Sequence, residues 1–258
     1  MKITATIITL NEERNLPRAL DSLDCVDEIV VVDSGSADRT REVACAYGAR
    51  VIENAWPGYA AQKNFAAAHA SHDWVLSIDA DETLSEPLAA EIMRVKQEGP
   101  RAAGYRFPRR AQYLGRWILH SGWYPDYKLR LYDRRRGAWT GEYVHESVRV
   151  DGPVESLNGD LLHYTCDSLS QHLRTLDRYT TLAAADLRAH GRRAGAARLL
   201  LSPPWTFFRT FVLQQGFRDG WQGVAISAMA AWYVFLKWAK TLESPKSKVQ
   251  SPKSVHHG

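Results

Sequence analysis

The sequence predicts an α/β fold in which a mostly parallel sheet is flanked by helices. Buried, β-branched strand candidates at residues 2–9, 28–33 and 74–79 alternate with amphipathic helix candidates. This alternation is typical of parallel sheets, because each crossover between two strands places a helix on one face. Right-handed crossovers bring the strand ends to the carboxyl edge of the sheet, where α/β proteins bind ligands. Polar residues stand at these ends: Asn11, Asp33 and Asp79.

The elements between these strands are predicted from apolar residues that recur every three or four positions. The helix after Ser85 is the best delimited, because Ser85 suits its N-cap, Pro87 its first turn and Gly99 its C-terminal end. The other elements are a helix containing residues 16–23, a helix ending at Gly48, a strand at 50–53 and a helix at 59–70.

The pattern becomes irregular beyond Gly99, and this change predicts how the chain is divided. Short strand candidates lie at 104–109, 128–133 and 161–164, followed by a long helix at 169–189. Residues 244–258 are rich in Ser, Pro and Lys, a composition typical of disorder. We therefore predict an α/β domain at 1–165, a helical region at 166–243 and a disordered tail at 244–258.

Composition excludes some classes of protein. With 258 residues, 45% of them hydrophobic and 24% charged, the chain is an ordinary globular protein. A formal net charge of +4 is too small to indicate a nucleic-acid partner, and none is expected. Arginines nevertheless cluster at 106–136 and 188–198, which favours an anionic partner such as phosphate, a sugar acid or a membrane surface. The alternative is a solvated face.

The cysteines and the N-terminal segment both point to the cytosol. Cys25, Cys45 and Cys166 lack the spacing of metal ligands or of a disulfide framework. The apolar run at 1–10 leads straight into polar residues with no cleavage-site pattern, so no secretory signal is expected.

An Asp-Ala-Asp motif, residues 79–81, ends the strand at 74–79. Carboxylates are the hard ligands that Mg²⁺ or Mn²⁺ prefers, and such a metal neutralises a leaving diphosphate. The alternative is that the carboxylates cap the next helix, but Ser85 is better placed to do so. We therefore predict that Asp79 and Asp81 serve one site, one on the metal and the other on ribose or metal-bound water.

The turn after the second strand supplies a second set of candidates. Asp33 or Ser34 is suited to hydrogen-bond a nucleotide base or ribose, and Gly35 permits close approach of the backbone. The alternative is a turn whose polar residues cap the following helix, which we prefer for Asp38.

Residues after the first strand are predicted to line the same nucleotide pocket: Thr9, Asn11 and Glu13. Lys63 lies on the helix before the Asp-Ala-Asp strand and is placed to reach the base or the diphosphate. A surface lysine is the equal alternative.

Together these segments resemble the inverting glycosyltransferases of family 2, which have the GT-A fold. More narrowly, the chain resembles the bacterial lipopolysaccharide-core β-1,4-glucosyltransferase group, and this resemblance covers residues 1–243. One departure is Ser34, where many family members have a second Asp. The matching segments are 7–12, 32–40, 63–64, 78–82, 141–146, 162–164 and 216–220.

The resemblance implies that the chain transfers a sugar from a nucleoside diphosphate with inversion, and a UDP-sugar is the expected donor. The expected acceptor is a glycolipid or saccharide in lipopolysaccharide core or cell-envelope glycan synthesis. The inverting mechanism requires one general base opposite the leaving group. The resemblance places that base at Glu146, with a surface glutamate as the alternative. His145 would orient Glu146 or contact the diphosphate. His163 would be a third metal ligand or a packed histidine, and Arg130 a phosphate ligand or a salt-bridged structural residue.

Residues 199–242 predict contact with a membrane. The segment 220–236 is uncharged, but as a helix at about 1.5 Å per residue it is about 26 Å long, short of a ~30 Å hydrocarbon core. Aromatic residues beside Arg and Lys suit the headgroup boundary. We expect a peripheral helical hairpin on the cytoplasmic face of the bacterial inner membrane. The alternatives are a crossing helix, a dimer interface or a helix that covers the core.

Other functions fit the sequence less well. A nucleotidyltransferase would carry a glycine-rich, basic loop after the first strand, where this chain has the acidic Asn11-Glu12-Glu13. A non-catalytic binding module would have lost a motif aspartate or Glu146. A polyprenyl-phosphate sugar synthase is the main alternative, because it too uses a nucleotide sugar at a membrane.

Overall fold

The structure is a computed structural model, and it describes residues 1–141, 146–192 and 195–243. The chain forms two compact units, the first spanning Met1–Asp167 and the second beginning at Ser168. The tail predicted at 244–258 lies outside the described residues.

The first half of the first unit is a parallel sheet with strand order β3-β2-β1-β4. Its register aligns the strand ends, because Thr9 is opposite Asp33 and Ile8 is opposite Asp79. The elements are β1 (Ile3–Thr9), α1 (Leu16–Asp21), β2 (Glu28–Asp33), α2 (Thr40–Ala46), β3 (Arg50–Glu53), α3 (Tyr59–Ala68) and β4 (Trp74–Asp79).

The second half extends this sheet with mixed strands, in the order β4-β8-β6-β12-β5. Strand β8 is antiparallel to β4, β6 is antiparallel to β8, and β12 is parallel to β6. Strands β6 and β12 therefore run in the direction of β4 and end at the same edge of the sheet. The elements are β5 (Glu82–Leu84), α4 (Glu86–Glu98), β6 (Gly104–Tyr113), β7 (Arg116–Trp117), β8 (Asp126–Asp133), β9 (Gly137–Thr140), β10 (Ser147–Val150), β11 (Val154–Ser156) and β12 (Leu161–Cys166).

The main core lies between this sheet and the helices α1 and α4. Leu16 and Leu20 of α1 and Leu88 and Ile92 of α4 are buried against the apolar side chains of the strands. The predicted cap of α4 is confirmed, since the Oγ of Ser85 accepts a hydrogen bond from the backbone N–H of Leu88 at 3.4 Å. The predicted α/β class is also confirmed, with a sheet that is parallel in its first half and mixed in its second.

The second unit is helical. A glycine allows the 3₁₀ turn to lie against α7, because a Cβ on Gly223 would lie 1.8 Å from the carbonyl oxygen of Gly216. No helix in the described part of the chain is both long enough and apolar enough to cross a membrane. The elements are α5 (Leu169–Ala189), α6 (Ala196–Phe208), a π-helical segment (Arg209–Leu213), a 3₁₀ turn (Gly216–Asp219) and α7 (Trp221–Leu242).

Candidate active site

Asp33 organises the loop that follows β2. Its buried carboxylate accepts hydrogen bonds from the Oγ1 of Thr9 at 2.9 Å and from the backbone N–H groups of Gly35 and Ser36 at 3.0 and 2.8 Å. Burial opposes ionisation, but these hydrogen bonds lower the pKa of Asp33. Gly35 adopts φ +90°, a conformation that favours glycine. A nucleotide that contacts Asp33 must therefore hydrogen-bond to carboxylate oxygens that already accept hydrogen bonds from the loop.

The loop after β1 is tied to the loop after β2. The Oδ1 of Asn11 accepts a hydrogen bond from the N–H of Ala37 at 2.8 Å, and the Oε2 of Glu13 accepts one from the N–H of Arg39 at 3.1 Å. Five predicted nucleotide contacts are thus brought to one edge of the sheet: Thr9, Asn11, Glu13, Asp33 and Ser34. The side chains of the first four hold the loops, and the Oγ of Ser34 accepts a hydrogen bond from the Nε2 of Gln62 in α3 at 3.1 Å.

Asp79 lies in a buried network of charges. Its Oδ1 is 2.8 Å from the Nζ of Lys63, and its Oδ2 accepts a hydrogen bond from the Nη2 of Arg130 at 2.8 Å. Lys63 and Arg130 are 2% and 4% exposed, so neither is a surface cation. Burial opposes the ionisation of Asp79, but the charges of Arg130 and Lys63 hold its pKa well below the ordinary value.

Glu82 completes this network from β5. It is fully buried, and its Oε1 accepts a hydrogen bond from Arg130 at 2.9 Å while its Oε2 accepts one from the N–H of Asp79 at 3.0 Å. Arg130 therefore bridges two carboxylates, and of the two roles predicted for it the structure favours the salt-bridged one. Lys63 is paired with Asp79, at the end of the Asp-Ala-Asp strand.

Asp81 has a different partner. Its Oδ2 lies 3.2 Å from the Nε2 of His163, and the two side chains are 33% and 16% exposed. The two oxygens of Asp79 face Lys63 and Arg130 instead. Within the described residues, no three or more His, Cys, Asp or Glu side chains are grouped so as to hold a metal ion.

The Asp81–His163 pair nevertheless suits a divalent cation that a substrate shares. Two adjacent ligands at about 2.1 Å from one octahedral ion are about 3 Å apart, close to the observed 3.2 Å. Mg²⁺ commonly takes one or two protein ligands and completes its shell with phosphate and water. The pKa of Glu12 reflects the negative charge here: burial raises it most, a hydrogen bond with Asn15 lowers it, and the charges of Asp81, Asp38 and Asp79 raise it further.

Glu146 faces the same network from the start of β10. Its Oε1 lies 3.8 Å from the Nζ of Lys63, and its Oε2 is buried without a hydrogen-bond partner among the residues that the structure describes. Lys63 therefore stands between the carboxylates of Asp79 and Glu146. The neighbouring candidate, His145, lies outside the described residues.

Trp139 and Asn64 position this lysine, although the sequence analysis assigned no role to either. The Nζ of Lys63 lies 4.2 Å from the centroid of the Trp139 ring. Asn64 holds the Trp139 backbone through two hydrogen bonds of 2.9 Å, one accepted from its N–H and one donated to its carbonyl oxygen. Glu82 and Asn64 could have been noticed in the segments that carry the family resemblance, whereas no sequence signal singled out Trp139.

Comparison with known proteins identifies similar chains. The family model described as Glycosyl transferase family 2 matches residues 4–150. An uncharacterized glycosyltransferase of Rickettsia typhi is 34% identical over 94% of this chain and 87% of its own length. The lipopolysaccharide core biosynthesis glycosyltransferase LpsC of Rhizobium meliloti is 32% identical over 93% of this chain and 92% of its own length.

Among solved structures, the chain is similar to a glucosyl-3-phosphoglycerate synthase from Mycobacterium tuberculosis, crystallised with Mn²⁺, UDP and glucosyl-3-phosphoglycerate. The sequences are 28% identical, and the match covers 44% of each chain with a TM-score of 0.34.

We predict that Glu82→Gln lowers the free energy of unfolding by about 3 kcal/mol, because it removes one charge from a buried network and leaves Arg130 undercompensated. Chemical denaturation of the full chain measures this. The matched control is Glu98→Gln, which removes an exposed glutamate paired with Arg101 and should change the free energy by less than about 1 kcal/mol. Equal effects of the two substitutions would contradict the structural role of Glu82.

Proposed function

Because the chain belongs to glycosyl transferase family 2, we propose that it transfers a hexose from a UDP-sugar to a saccharide or glycolipid acceptor with inversion at the anomeric carbon. One observation carries the proposal: the partly exposed Asp81–His163 pair and the Glu146 carboxylate flank the Lys63–Asp79 ion pair at the rim of the sheet. A cation-binding pair beside a base is the minimum that this reaction requires.

The donor is proposed to bind over the loops that follow β1 and β2. Their backbone is held rigid by Asp33, Asn11 and Glu13, so the nucleotide meets a preorganised surface. Asp81 and His163 would hold Mg²⁺ or Mn²⁺ together with the diphosphate. When bound, the metal neutralises the charge that develops on the leaving diphosphate.

Glu146 is proposed as the general base. Its carboxylate takes the proton of the acceptor hydroxyl as that oxygen bonds to the anomeric carbon. The bond from the anomeric carbon to the diphosphate breaks at the same time, and its electron pair leaves with UDP. Two features support this role: an Oε2 without a hydrogen-bond partner among the described residues, and an Oε1 that lies 3.8 Å from the Nζ of Lys63.

We propose that the acceptor belongs to lipopolysaccharide core or another cell-envelope glycan. The support is the likeness to LpsC, which spans 93% of this chain. Such acceptors are lipid-borne at the cytoplasmic face of the inner membrane, which is the location we propose for this enzyme.

Residues 199–242 are proposed to make the peripheral membrane contact. Leu200 and Leu201 are 68% and 67% exposed, and Arg198 and Arg209 lie near them in the chain. Exposed apolar side chains next to arginines suit an anionic headgroup boundary. The other large apolar side chains exposed in this segment are Trp205, Phe208, Val212, Leu213, Phe217, Trp221, Val224, Trp232 and Leu242.

We predict that Asp81→Ala weakens the binding of UDP in the presence of Mn²⁺ at least about tenfold, because the substitution removes one of the two proposed protein ligands of the metal. Titration calorimetry with and without Mn²⁺ measures this. Asp24→Ala, at an exposed position, is the control and should bind as the original chain does. If Mn²⁺ strengthens UDP binding equally in the original chain, in Asp81→Ala and in Asp24→Ala, Asp81 is not a ligand of the metal.

We predict that Glu146→Gln retains UDP binding but reduces transfer at least about a hundredfold, because glutamine keeps the shape of the side chain and cannot accept the proton. A suitable assay measures UDP release from a panel of UDP-sugars with cell-envelope glycan acceptors. Glu155→Gln changes an exposed glutamate and serves as the control. Turnover of Glu146→Gln that matches this control would exclude Glu146 as the base.

We predict that the double substitution Leu200→Ser and Leu201→Ser reduces sedimentation of the protein with vesicles containing anionic lipid at least about tenfold, because it removes two exposed apolar side chains. The matched control replaces Leu173 and Leu182 of α5, which are 44% and 47% exposed, with serine. If both double variants sediment like the original chain, residues 200 and 201 do not bind the membrane.

A further inference from the structure

Two arginines and two aromatic side chains stack near the carboxyl ends of β6 and β12. The guanidinium carbon of Arg18 lies 3.4 Å from the centroid of the Tyr164 ring, and Tyr164 meets Trp117 edge-to-face at 5.3 Å. The guanidinium carbon of Arg110 lies 5.3 Å from the centroid of the Trp117 ring. We call Arg18, Tyr164, Trp117 and Arg110 the arginine–aromatic cluster.

The arginine–aromatic cluster adjoins the proposed cation site. The N–H of Tyr164 donates a hydrogen bond to the carbonyl oxygen of Asp81 at 3.0 Å, and His163 is the preceding residue of β12. Strands β6 and β12 end at the same edge of the sheet as β4, which carries Asp79. A molecule on this cluster therefore lies within reach of a sugar whose diphosphate sits at Asp81.

Both arginines have unused hydrogen-bonding capacity. Across residues 1–141, 146–192 and 195–243, Arg18 forms no ion pair, and its one hydrogen bond goes to the Oδ1 of Asn15 at 3.1 Å. The Nε of Arg110 lies 3.2 Å from the Oδ2 of Asp160 but donates no hydrogen bond to a described residue, and the Oδ1 of Asp160 accepts a hydrogen bond from the hydroxyl of Tyr124 at 3.0 Å. The terminal nitrogens of Arg110 donate no hydrogen bond to a described residue.

A guanidinium group with free donors binds a phosphate or carboxylate through paired, charge-assisted hydrogen bonds. The faces of aromatic rings carry negative charge density, which attracts the polarised C–H groups of a sugar ring. Arginine held on an aromatic face keeps its planar fork in a fixed orientation and loses less freedom when it binds. The combination indicates a ligand that is both a sugar and an anion.

We propose that the arginine–aromatic cluster is the acceptor subsite, and that it takes a sugar unit bearing a phosphate or carboxylate group. The sugar ring lies against Trp117 and Tyr164, and Arg18 or Arg110 binds the anion. This assignment rests on the proposed function, since only a glycosyltransferase needs an acceptor beside the donor. It narrows the acceptor to acidic saccharides.

The test is a nuclear magnetic resonance titration of the full chain in the presence of UDP and Mg²⁺. The ¹⁵N-labelled indole group of Trp117 is followed after its assignment with Trp117→Phe. The probes are glucose 6-phosphate, glucuronic acid, methyl glucoside and inorganic phosphate. We expect saturable shifts with the two acidic sugars and at least about tenfold weaker responses to methyl glucoside and to phosphate, because each of these lacks half of the recognised chemistry.

Substitutions separate binding on the cluster from binding elsewhere. Arg18→Gln and Arg110→Gln should each weaken the response to glucose 6-phosphate or glucuronic acid about tenfold. Arg101→Gln, which changes a 75%-exposed arginine away from the cluster, should leave it unchanged. An unmoved Trp117 resonance, a response to phosphate equal to that to glucose 6-phosphate, or full affinity in both Arg18→Gln and Arg110→Gln would overturn the proposal.

Calorimetry with UDP on the same samples distinguishes two kinds of failure. A chain that binds UDP but shows no response to acidic sugars lacks the proposed acceptor subsite and keeps the proposed donor site. A chain that binds no UDP at all contradicts the proposed function, on which the acceptor subsite depends.

Discussion

Two carboxylates and two buried cations hold the rim of the sheet together. Asp79 at the end of β4 and Glu82 of β5 are bound by Arg130 of β8, and Lys63 of α3 binds Asp79. A buried charge is costly unless an opposite charge compensates it, and here each charge has its partner. The network therefore joins three strands and one helix at the point where the chain leaves the parallel half of the sheet.

This network separates the two aspartates of the Asp-Ala-Asp motif. Both oxygens of Asp79 are paired with cations, whereas Asp81, among the described residues, is paired with a histidine, His163. One aspartate therefore stabilises the rim, and the other remains available to a ligand. Lys63 also separates Asp79 from Glu146, because it lies between the two carboxylates. It places a positive charge beside the proposed base.

Local sequence predicted the strands of the parallel half and the cap of α4 well, because these depend on neighbours in the chain. The bounds of β2, β3 and β4 agree with the prediction, as does the Ser85 cap. The partners of Asp79 could not be predicted in this way, because Arg130 is 51 positions away in the chain. Whether Arg130 binds a phosphate or forms a salt bridge depends on which group the fold places next to it. Likewise, nothing in the sequence of Asn11 shows that its amide oxygen accepts the N–H of Ala37 in another loop.

Strand direction explains why distant segments contribute to one rim. Because β8 is antiparallel both to β4 and to β6, two reversals restore the original direction, and β6 and β12 end where β4 ends. A single reversal would have sent Tyr164 and His163 to the opposite edge, far from Asp81. The insertion of β8 thus allows a sheet whose parallel half carries the proposed nucleotide site to present a second set of side chains on its mixed half. A transferase needs two such sets because two substrates must meet.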